Sequence, residues 1–537
     1  MTPEDWIAHD PDPATAAELS RCDKAELAVR FSHPLTFGTA GLRGPVRGGP
    51  DAMNLAVVLR ASWAVATVLA GRGQSGATVI VGRDARHGSA AFAAATAEVL
   101  AAEGFSVTQL PYPAPTPVLA FAVRHTGAAA GIQITASHNP PADNGYKVYS
   151  DGGMQIVSPT DREIETAIAT APFADEIARL PVEPAGAGLV EQYIERAARV
   201  RRSSSGPIRV ALTPLHGVGG ALAIDTLRRA GLSDVHTVSS QFTPDPDFPT
   251  VAFPNPEEPG ATDALLTLAA DVDADIAIAL DPDADRCAVG VPTPSGWRML
   301  SGDETGWLLG DYILSKINPD DRPCSVVAST VVSSRMLSAI ASHWGAQHVE
   351  TLTGFKWLAR ADSGRPDSTL VYAYEEAIGH CVDPAAVRDK DGISAAVLIC
   401  DLVATLKESH RSALDALDDL ARRFGVHGGA AVSRPVGSAE EATQLMGRLR
   451  ASPPTRLAGF HSATTDLSHS AANRTDALIF AGGDADTSAR VVVRPSGTEP
   501  KVKFYIEVRS AVTGDLARTR HHAAAICDDL ADAVRGW

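Results

Sequence analysis

GIQITASHNP, residues 131–140, is a strand-like run that ends in a serine and a histidine just before an Asn-Pro turn. A short β-rich run closed by turn residues reads as a strand. The hydroxyl of Ser137 then stands exposed at the C-terminal edge of a sheet, where α/β proteins usually keep their sites. Taken alone, the segment also fits an ordinary polar turn. It does not fit a hydrolase nucleophile, because the GxSxG pattern is absent.

Runs of the same kind recur along the chain: ATVIVGRD (77–84), FSVTQL (105–110), IRVALTPL (208–215), ADIAIALD (274–281), SVVASTVVS (325–333) and STLVYAYEE (368–376). Ala/Leu/Arg-rich stretches of helical length lie between them, and this alternation predicts α/β modules with mixed or mainly parallel sheets. At 537 residues the chain is too long for one core. RRSSSGP (201–207), INPDDRP (317–323) and the Gly-rich FGVHGGAAVSR (424–434) read as breaks between modules. The expected architecture is therefore three α/β domains, 1–204, 205–320 and 321–428, and a smaller α+β domain, 429–537. In the last, ARVVVRPSGTEPKVKFYIEVRS (489–510) reads as an antiparallel hairpin followed by a terminal helix.

A hydrophobic content of 45% and a charged content of 21% are ordinary for a soluble globular enzyme. The net charge of -17 argues against a general nucleic-acid surface, which needs a basic stripe. Cysteines at 22, 287, 324, 381, 400 and 527 form no CxxC pair and fit reduced thiols in a cytoplasmic protein. The acidic, Pro-rich start lacks the regions of a signal peptide. Ala-rich runs near 61–70 and 92–102 read as short amphipathic helices, since neither reaches the roughly 18 apolar residues of a membrane span.

DPDADR, residues 281–286, follows another apolar run. In an extended segment Asp281, Asp283 and Asp285 point to one side, where they would repel one another without a hard cation. An EF-hand loop is excluded, because Arg286 and Pro292 stand where it needs Gly and Glu. Three oxygen ligands leave positions open, which suits Mg²⁺ that also holds a phosphate. GTAGLRG (38–44) with Arg43 is a candidate phosphate loop but not a Walker A sequence. RPSGTEPK (494–501) is richer, with Arg494, Ser496, Thr498 and Lys501 around Gly497. YEEAIGH (374–380) ends a strand with two carboxylates able to accept from vicinal hydroxyls.

Taken together, in this order, TASHNP, DPDADR and RPSGT resemble the α-D-phosphohexomutase superfamily, the phosphoglucomutases and phosphomannomutases. GTAGLRG, TGFKW (353–357), EEAIGH and DKDG (389–392) look most like its branch of phosphopentomutases and glucose-1,6-bisphosphate synthases. The resemblance implies that Ser137 carries the phosphoryl group and supplies an oxygen to a Mg²⁺ held by Asp281, Asp283 and Asp285. It further implies Arg43 beside the phosphoserine, Lys147 as an acid/base group with His138 as a weaker candidate, and Arg286 in the metal loop. Gly354, Glu375, His380 and Lys390 are implied sugar contacts, and Arg494, Ser496, Gly497 and Thr498 an implied loop for the nontransferred phosphate. Ala377 stands where hexomutases often have Ser, which bears on hexose preference.

The expected enzyme is then an isomerase, an intramolecular phosphotransferase interconverting 1-phospho and 6-phospho hexoses through a hexose 1,6-bisphosphate. Its partner is a phosphosugar, with no nucleic acid and no membrane, and the chain is a monomer or homodimer. Pentose phosphates as substrates, or net bisphosphate synthesis, are the alternatives within the superfamily. A noncatalytic phosphosugar sensor would have lost the serine or the aspartates, and neither is lost.

Overall fold

The strand-like runs become the strands of three α/β sheets. The computed structural model describes residues 1–37, 41–470, 474–496 and 501–537. In the first sheet, β1 (Leu42–Pro45), β2 (Thr78–Arg83), β3 (Ser106–Gln109), β4 (Ala130–Ile134), β5 (Asp143–Ser150) and β6 (Met154–Gln155) lie in the order β1-β5-β4-β2-β3, with β6 on β5. β2 runs parallel to β3 and β4, whereas β5 is antiparallel to β4 and β1. β4 is buried along its whole length, as expected of an inner strand covered by helices on both faces.

One of those covers, the helix Leu55–Gly71, starts at Asn54, whose side chain accepts the Val57 N–H at 2.9 Å. Its buried residues surround the axis rather than lining one stripe. The expectation of an amphipathic helix here is therefore corrected. Small Ala side chains let neighbouring helices approach it closely, and even Arg60 is buried, donating to the carbonyls of Ile168, Ala171 and Pro172. The helix Ser89–Ala102 packs beside it and is likewise mostly buried.

The second sheet has β7 (Arg209–Thr213), β8 (Asp234–Thr237), β9 (Ile276–Leu280), β10 (Cys287–Thr293) and β11 (Gly296–Met299), in the order β11-β10-β9-β7-β8. The stretch before it, RRSSSGP, is pinned rather than flexible. Asp401, wholly buried in the helix Gly392–Glu408, accepts the Arg202 N–H at 2.7 Å, Arg201 Nε at 3.3 Å and the Ser203 hydroxyl. The polar residues of that connection thus serve a buried carboxylate.

In the third sheet β12 (Ser325–Thr330) runs parallel between β13 (Gln347–Thr351) and β14 (Thr369–Glu375). The helix Gly302–Lys316, expected with the second module, packs on these strands. A Cβ at Gly306 would lie 2.6 Å from the Tyr374 ring, and one at Gly310 would lie 2.5 Å from Leu337. Glycines thus let this helix approach β14 and the helix Met336–Trp344 closely. β15 (Gly379–Cys381) is bridged at Gly379 to Arg286.

The Gly-rich stretch expected as a break is instead β16 (Val426–Pro435), because every residue in it finds a cross-strand partner on β22. β17 (Arg456–Leu457) and β18 (Phe460–His461) make a small ribbon. β19 (Ala463–Asp466), β20 (Leu478–Gly483), β21 (Thr487–Pro495) and β22 (Lys501–Ser510) complete an antiparallel sheet ordered β16-β22-β21-β20-β19. β22 alternates half-buried and buried residues, the buried set including Phe504 and Val508. The terminal helix Leu516–Arg535, capped by Asp515, covers that face, and the absence of a side chain at Gly428 lets Cys527 approach.

Three α/β sheets and a smaller C-terminal α+β module match the expected fold class. The chain forms two compact units, Met1–Gly302 with Ala377–Glu408, and Asp303–Glu376 with Ser409–Trp537. Among the described residues no helix is long and apolar enough to cross a membrane.

Candidate active site

Two strand ends of the first unit meet at its chemistry-bearing side chains. Ser137 follows β4 with φ 52°, a left-handed conformation unusual for a residue with a Cβ. Its N–H is held by Thr135 Oγ1 at 2.9 Å, and its hydroxyl donates to Asp281 Oδ2 at 2.7 Å. The side chain was expected to be exposed. It is 1% exposed, because the turn after β9 closes over it.

That turn also differs from the extended segment expected. The Ala284 N–H returns to the Asp281 carbonyl at 2.9 Å, and Ala284 has φ 53°. The three aspartates nevertheless converge, one ligand atom from each lying within 4.8 Å of the others, all buried. A tight turn brings alternate carboxylates together as an extended strand would, but it also needs room. Gly217 supplies it, since a Cβ there would lie 2.3 Å from Pro282 Cα.

The buried negative charge is met from several elements. Lys147 Nζ on β5 lies 2.7 Å from Asp283 Oδ2 and 3.1 Å from Asp285 Oδ2. Lys390 Nζ lies 3.3 Å from Asp285 Oδ2. Burial and the charges of Asp283 and Asp285 push Asp281 well up. Burial acts on Asp283 in the same sense, yet Lys147 and the Thr116 hydroxyl outweigh it and hold that carboxylate ionised. For Lys147 too, burial opposes the charge and the two aspartates prevail, raising its pKa. Asp283 Oδ1 and Asp285 Oδ1 are buried with no hydrogen-bond partner. Buried carboxylate oxygens left over after two lysines have been placed are the donor set of a hard cation, so the residues present fit Mg²⁺.

Arg43 on β1 reaches the serine loop, donating to Asn139 Oδ1 at 3.3 Å. His138 Nδ1 is 3.2 Å from the Ser137 hydroxyl, and burial, helped by Arg286 and Arg43, keeps the ring neutral. Arg286 follows the turn, its N–H on Asp281 Oδ1 at 3.0 Å and its guanidinium 3.4 Å from Glu257. His380 is fully buried, its pKa pushed down to about 3 by that burial.

The first unit thus holds Ser137, His138, Arg43, Lys147, the three aspartates, Arg286, His380 and Lys390. The remaining candidates belong to the second unit. Gly354 has φ 100° at the start of the short helix Phe355–Leu358, a conformation that favours glycine. Glu375 ends β14, half-buried, while its neighbour Glu376 accepts from Ser333 Oγ at 3.0 Å and Thr330 Oγ1 at 3.2 Å. Arg494 is on β21, and the Ser496 N–H closes the hairpin on the Lys501 carbonyl at 2.8 Å. Gly497 and Thr498 lie outside the described residues.

Sequence reasoning missed Thr116 and Asp389. Thr116 heads the helix Thr116–Thr126 and gives Asp283 both its N–H, to the carbonyl at 2.9 Å, and its hydroxyl, to Oδ2 at 2.5 Å. Its place between two prolines marked a helix start but not a carboxylate partner. Asp389 accepts from Tyr149 OH and Gln155 Nε2, each at 2.7 Å, directly beside Lys390.

Matches to known proteins cover most of the chain. Residues 34–175, 191–295 and 301–424 match the three α/β/α domains described for phosphoglucomutase/phosphomannomutase, and 479–525 match the C-terminal domain. The chain belongs to the phosphoglucomutase/phosphomannomutase family. A family relative in Haemophilus influenzae, named "Probable phosphomannomutase", is 40% identical over 87% of this chain and 95% of its own. The phosphopentomutase of Mus musculus is 34% identical over 94% of this chain and 89% of its own. A Paramecium phosphoglucomutase, pp63/parafusin, has the same fold, with a TM-score of 0.70 at 18% identity over 93% of this chain and 95% of that one. The protein is an enzyme, a phosphomutase of the isomerase class.

Proposed function

We propose that the enzyme interconverts 1-phospho and 6-phospho hexoses, glucose or mannose phosphates, through a phosphorylated Ser137 and a hexose 1,6-bisphosphate. The observation that carries this reading is the buried Ser137 hydroxyl donating to one of three convergent aspartates at 2.7 Å. Phosphoryl transfer asks the protein for positioning and charge neutralisation more than for covalent chemistry. Asp281, Asp283, Asp285 and an oxygen of phosphorylated Ser137 would hold Mg²⁺, which supplies Lewis-acid neutralisation of the transferring group.

The chain's own groups do the rest. A phosphate on Ser137 brings about -1.5 to -2 of charge at neutral pH. Arg43 would offset part of it, and Arg286 and Lys390 would add positive charge toward the sugar phosphate. Asp281 accepts from the Ser137 hydroxyl at 2.7 Å and so orients that oxygen toward the cation site. Lys147 stays charged between Asp283 and Asp285, so it serves as a proton donor to a departing sugar oxygen more readily than as a base. His138, kept neutral, is the acceptor within reach. In the second unit, Gly354 and Glu375 would contact the sugar, while Arg494, Ser496, Gly497 and Thr498 would grip the phosphate that is not transferred. His380 is too buried to exchange protons with solvent and would shape the pocket.

A cytoplasmic location fits six unpaired cysteines, four of them buried. Ala377, standing where hexomutases often have serine, favours pentose phosphate as the second reading. Turnover of glucose 1-phosphate, mannose 1-phosphate and ribose 1-phosphate, each assayed with its bisphosphate, decides between them. The hexose reading expects the highest kcat/KM on a hexose phosphate, and a preference for ribose 1-phosphate overturns it.

A further inference from the structure

Three residues past the end of β2, Arg86 is 4% exposed and has no place in the reaction as described. Its Nη2 donates to the carbonyls of Ser137 at 2.6 Å and Asn139 at 2.5 Å. Its Nη1 donates to those of Pro140 at 2.7 Å and Asp143 at 3.1 Å. Four carbonyls of one seven-residue segment are thus turned onto a single cation. Asp84, also buried, orients the group, accepting the Arg86 N–H at 2.9 Å and lying 3.4 Å from Nε.

The guanidinium face is covered as well. Its carbon lies 4.9 Å from the centroid of Phe248, which is 2% exposed and has φ 46°. Phe248 comes from the loop between β8 and β9, so the arginine that gathers the serine loop is capped by the module carrying the aspartate turn. Close by, His87 Nε2 is 2.7 Å from Asp247 Oδ1.

Turning a peptide carbonyl toward a fixed point fixes the adjoining φ and ψ. Ser137 has a left-handed φ of 52°, which persists for a residue with a Cβ only when its surroundings over-determine it. Arg86 provides that constraint. Its planar fork of five donors can serve several acceptors at set angles, whereas a lysine would present one point charge with three donors. The aromatic face excludes water, which would otherwise compete for the same carbonyls.

We propose that Arg86, faced by Phe248, is the positioning residue of the phosphoryl-carrying loop: it sets the backbone of 137–143 so that Ser137 Oγ meets Asp281, and thereby sets the transfer rate without touching substrate. The catalytic part of this claim rests on the function proposed above, while the structural part stands without it.

The test uses the full-length chain and its Arg86→Lys and Phe248→Leu variants. For each, the melting temperature, kcat and KM, the rate of Ser137 phosphorylation by glucose 1,6-bisphosphate, and amide exchange of 137–143 are measured. Folded Arg86→Lys should exchange faster across 137–143 and lose about 100-fold in kcat, the scale expected for a misplaced reacting group. Its KM should stay within about threefold, because no sugar contact is removed. Phe248→Leu should follow in the same direction by about tenfold, and it decides the matter if Arg86→Lys does not fold. A folded variant that keeps kcat and loop exchange at parental values overturns the proposal, as does a fall in kcat with exchange unchanged. If the parent takes no phosphate on Ser137, the functional reading fails, and loop exchange alone then decides the positioning claim: faster exchange supports it and unchanged exchange overturns it.

Discussion

The aspartate turn of the first unit and the RPSGT hairpin of the second are both candidate phosphate-handling sites, yet they are built in opposite ways. At the first, Ser137, Lys147 and three aspartates are all at most 2% exposed and bonded to one another before any ligand arrives. At the second, Arg494 and Ser496 are half-buried on a hairpin whose sheet is stabilised by its other face, around Phe504 and Val493. Burying charge is costly unless each charge is paired, so the first arrangement is coupled and intolerant of change. The second is held more lightly, Arg494 against Tyr505 and the Ser496 N–H on the Lys501 carbonyl, and carries no buried charge cluster among the described residues. On the proposed function, chemistry would sit where reorganisation is least, and grip where the side chains are more open to a ligand.

Asp283→Asn should break this contrast most severely. It leaves the buried Lys147 ammonium with Asp285 alone and disturbs the Thr116 contact, so stability should fall by about 3 kcal/mol or more. Mg²⁺ binding, followed by calorimetry, should weaken along with turnover. A variant with parental melting temperature and Mg²⁺ affinity would show that the turn is neither coupled nor a metal site.

Arg494→Lys should be milder and purely functional. Losing a bidentate grip for a point charge costs about 1.5 kcal/mol, or roughly tenfold in kcat/KM, and it should do so equally in both directions of the reaction. The melting temperature should not move. Unchanged kcat/KM at subsaturating substrate would make RPSGT a plain hairpin turn.

A different contrast concerns pH and the second unit's own buried charges. Asp303 accepts the Ser334 N–H at 2.9 Å and Tyr374 OH at 2.7 Å, and burial pushes its pKa up to about 7. A carboxyl with a raised folded-state pKa binds more protons folded than unfolded. It therefore contributes stability that is fully present below the unfolded value and lost as pH rises toward 7. Glu507 is the opposite case: burial acts against it, but His427, Ser334 and Arg335 hold it down at about 2, so its contribution is lost as pH falls from about 4.5 toward 2. Between pH 4 and 7 the parent should lose stability relative to Asp303→Asn by at most about 1.4 kcal/mol per pH unit. Parallel stability profiles would remove Asp303 from this account.

The sequence carried the inner strands and the three motif ends legibly, because β-branched runs and turn residues act locally. What it could not carry was burial. Ser137 looked exposed at a strand end, and only the turn 144 residues later in the chain encloses it. RRSSSGP looked like a flexible connection because Asp401, its anchor, lies some two hundred residues away. β16 was masked by its glycines, which pass for a break until β22 supplies a partner for each residue. Thr116 meets Asp283, and Asp389 meets Tyr149 and Gln155, through contacts with no local signature.

The most direct test is to add glucose 1,6-bisphosphate to the purified enzyme with Mg²⁺ and map phosphate by intact mass and peptide sequencing. A single phosphate should appear on Ser137 and leave when a sugar monophosphate is added, at a rate no slower than turnover. Phosphate on another residue, or steady turnover by Ser137→Ala, would contradict the account.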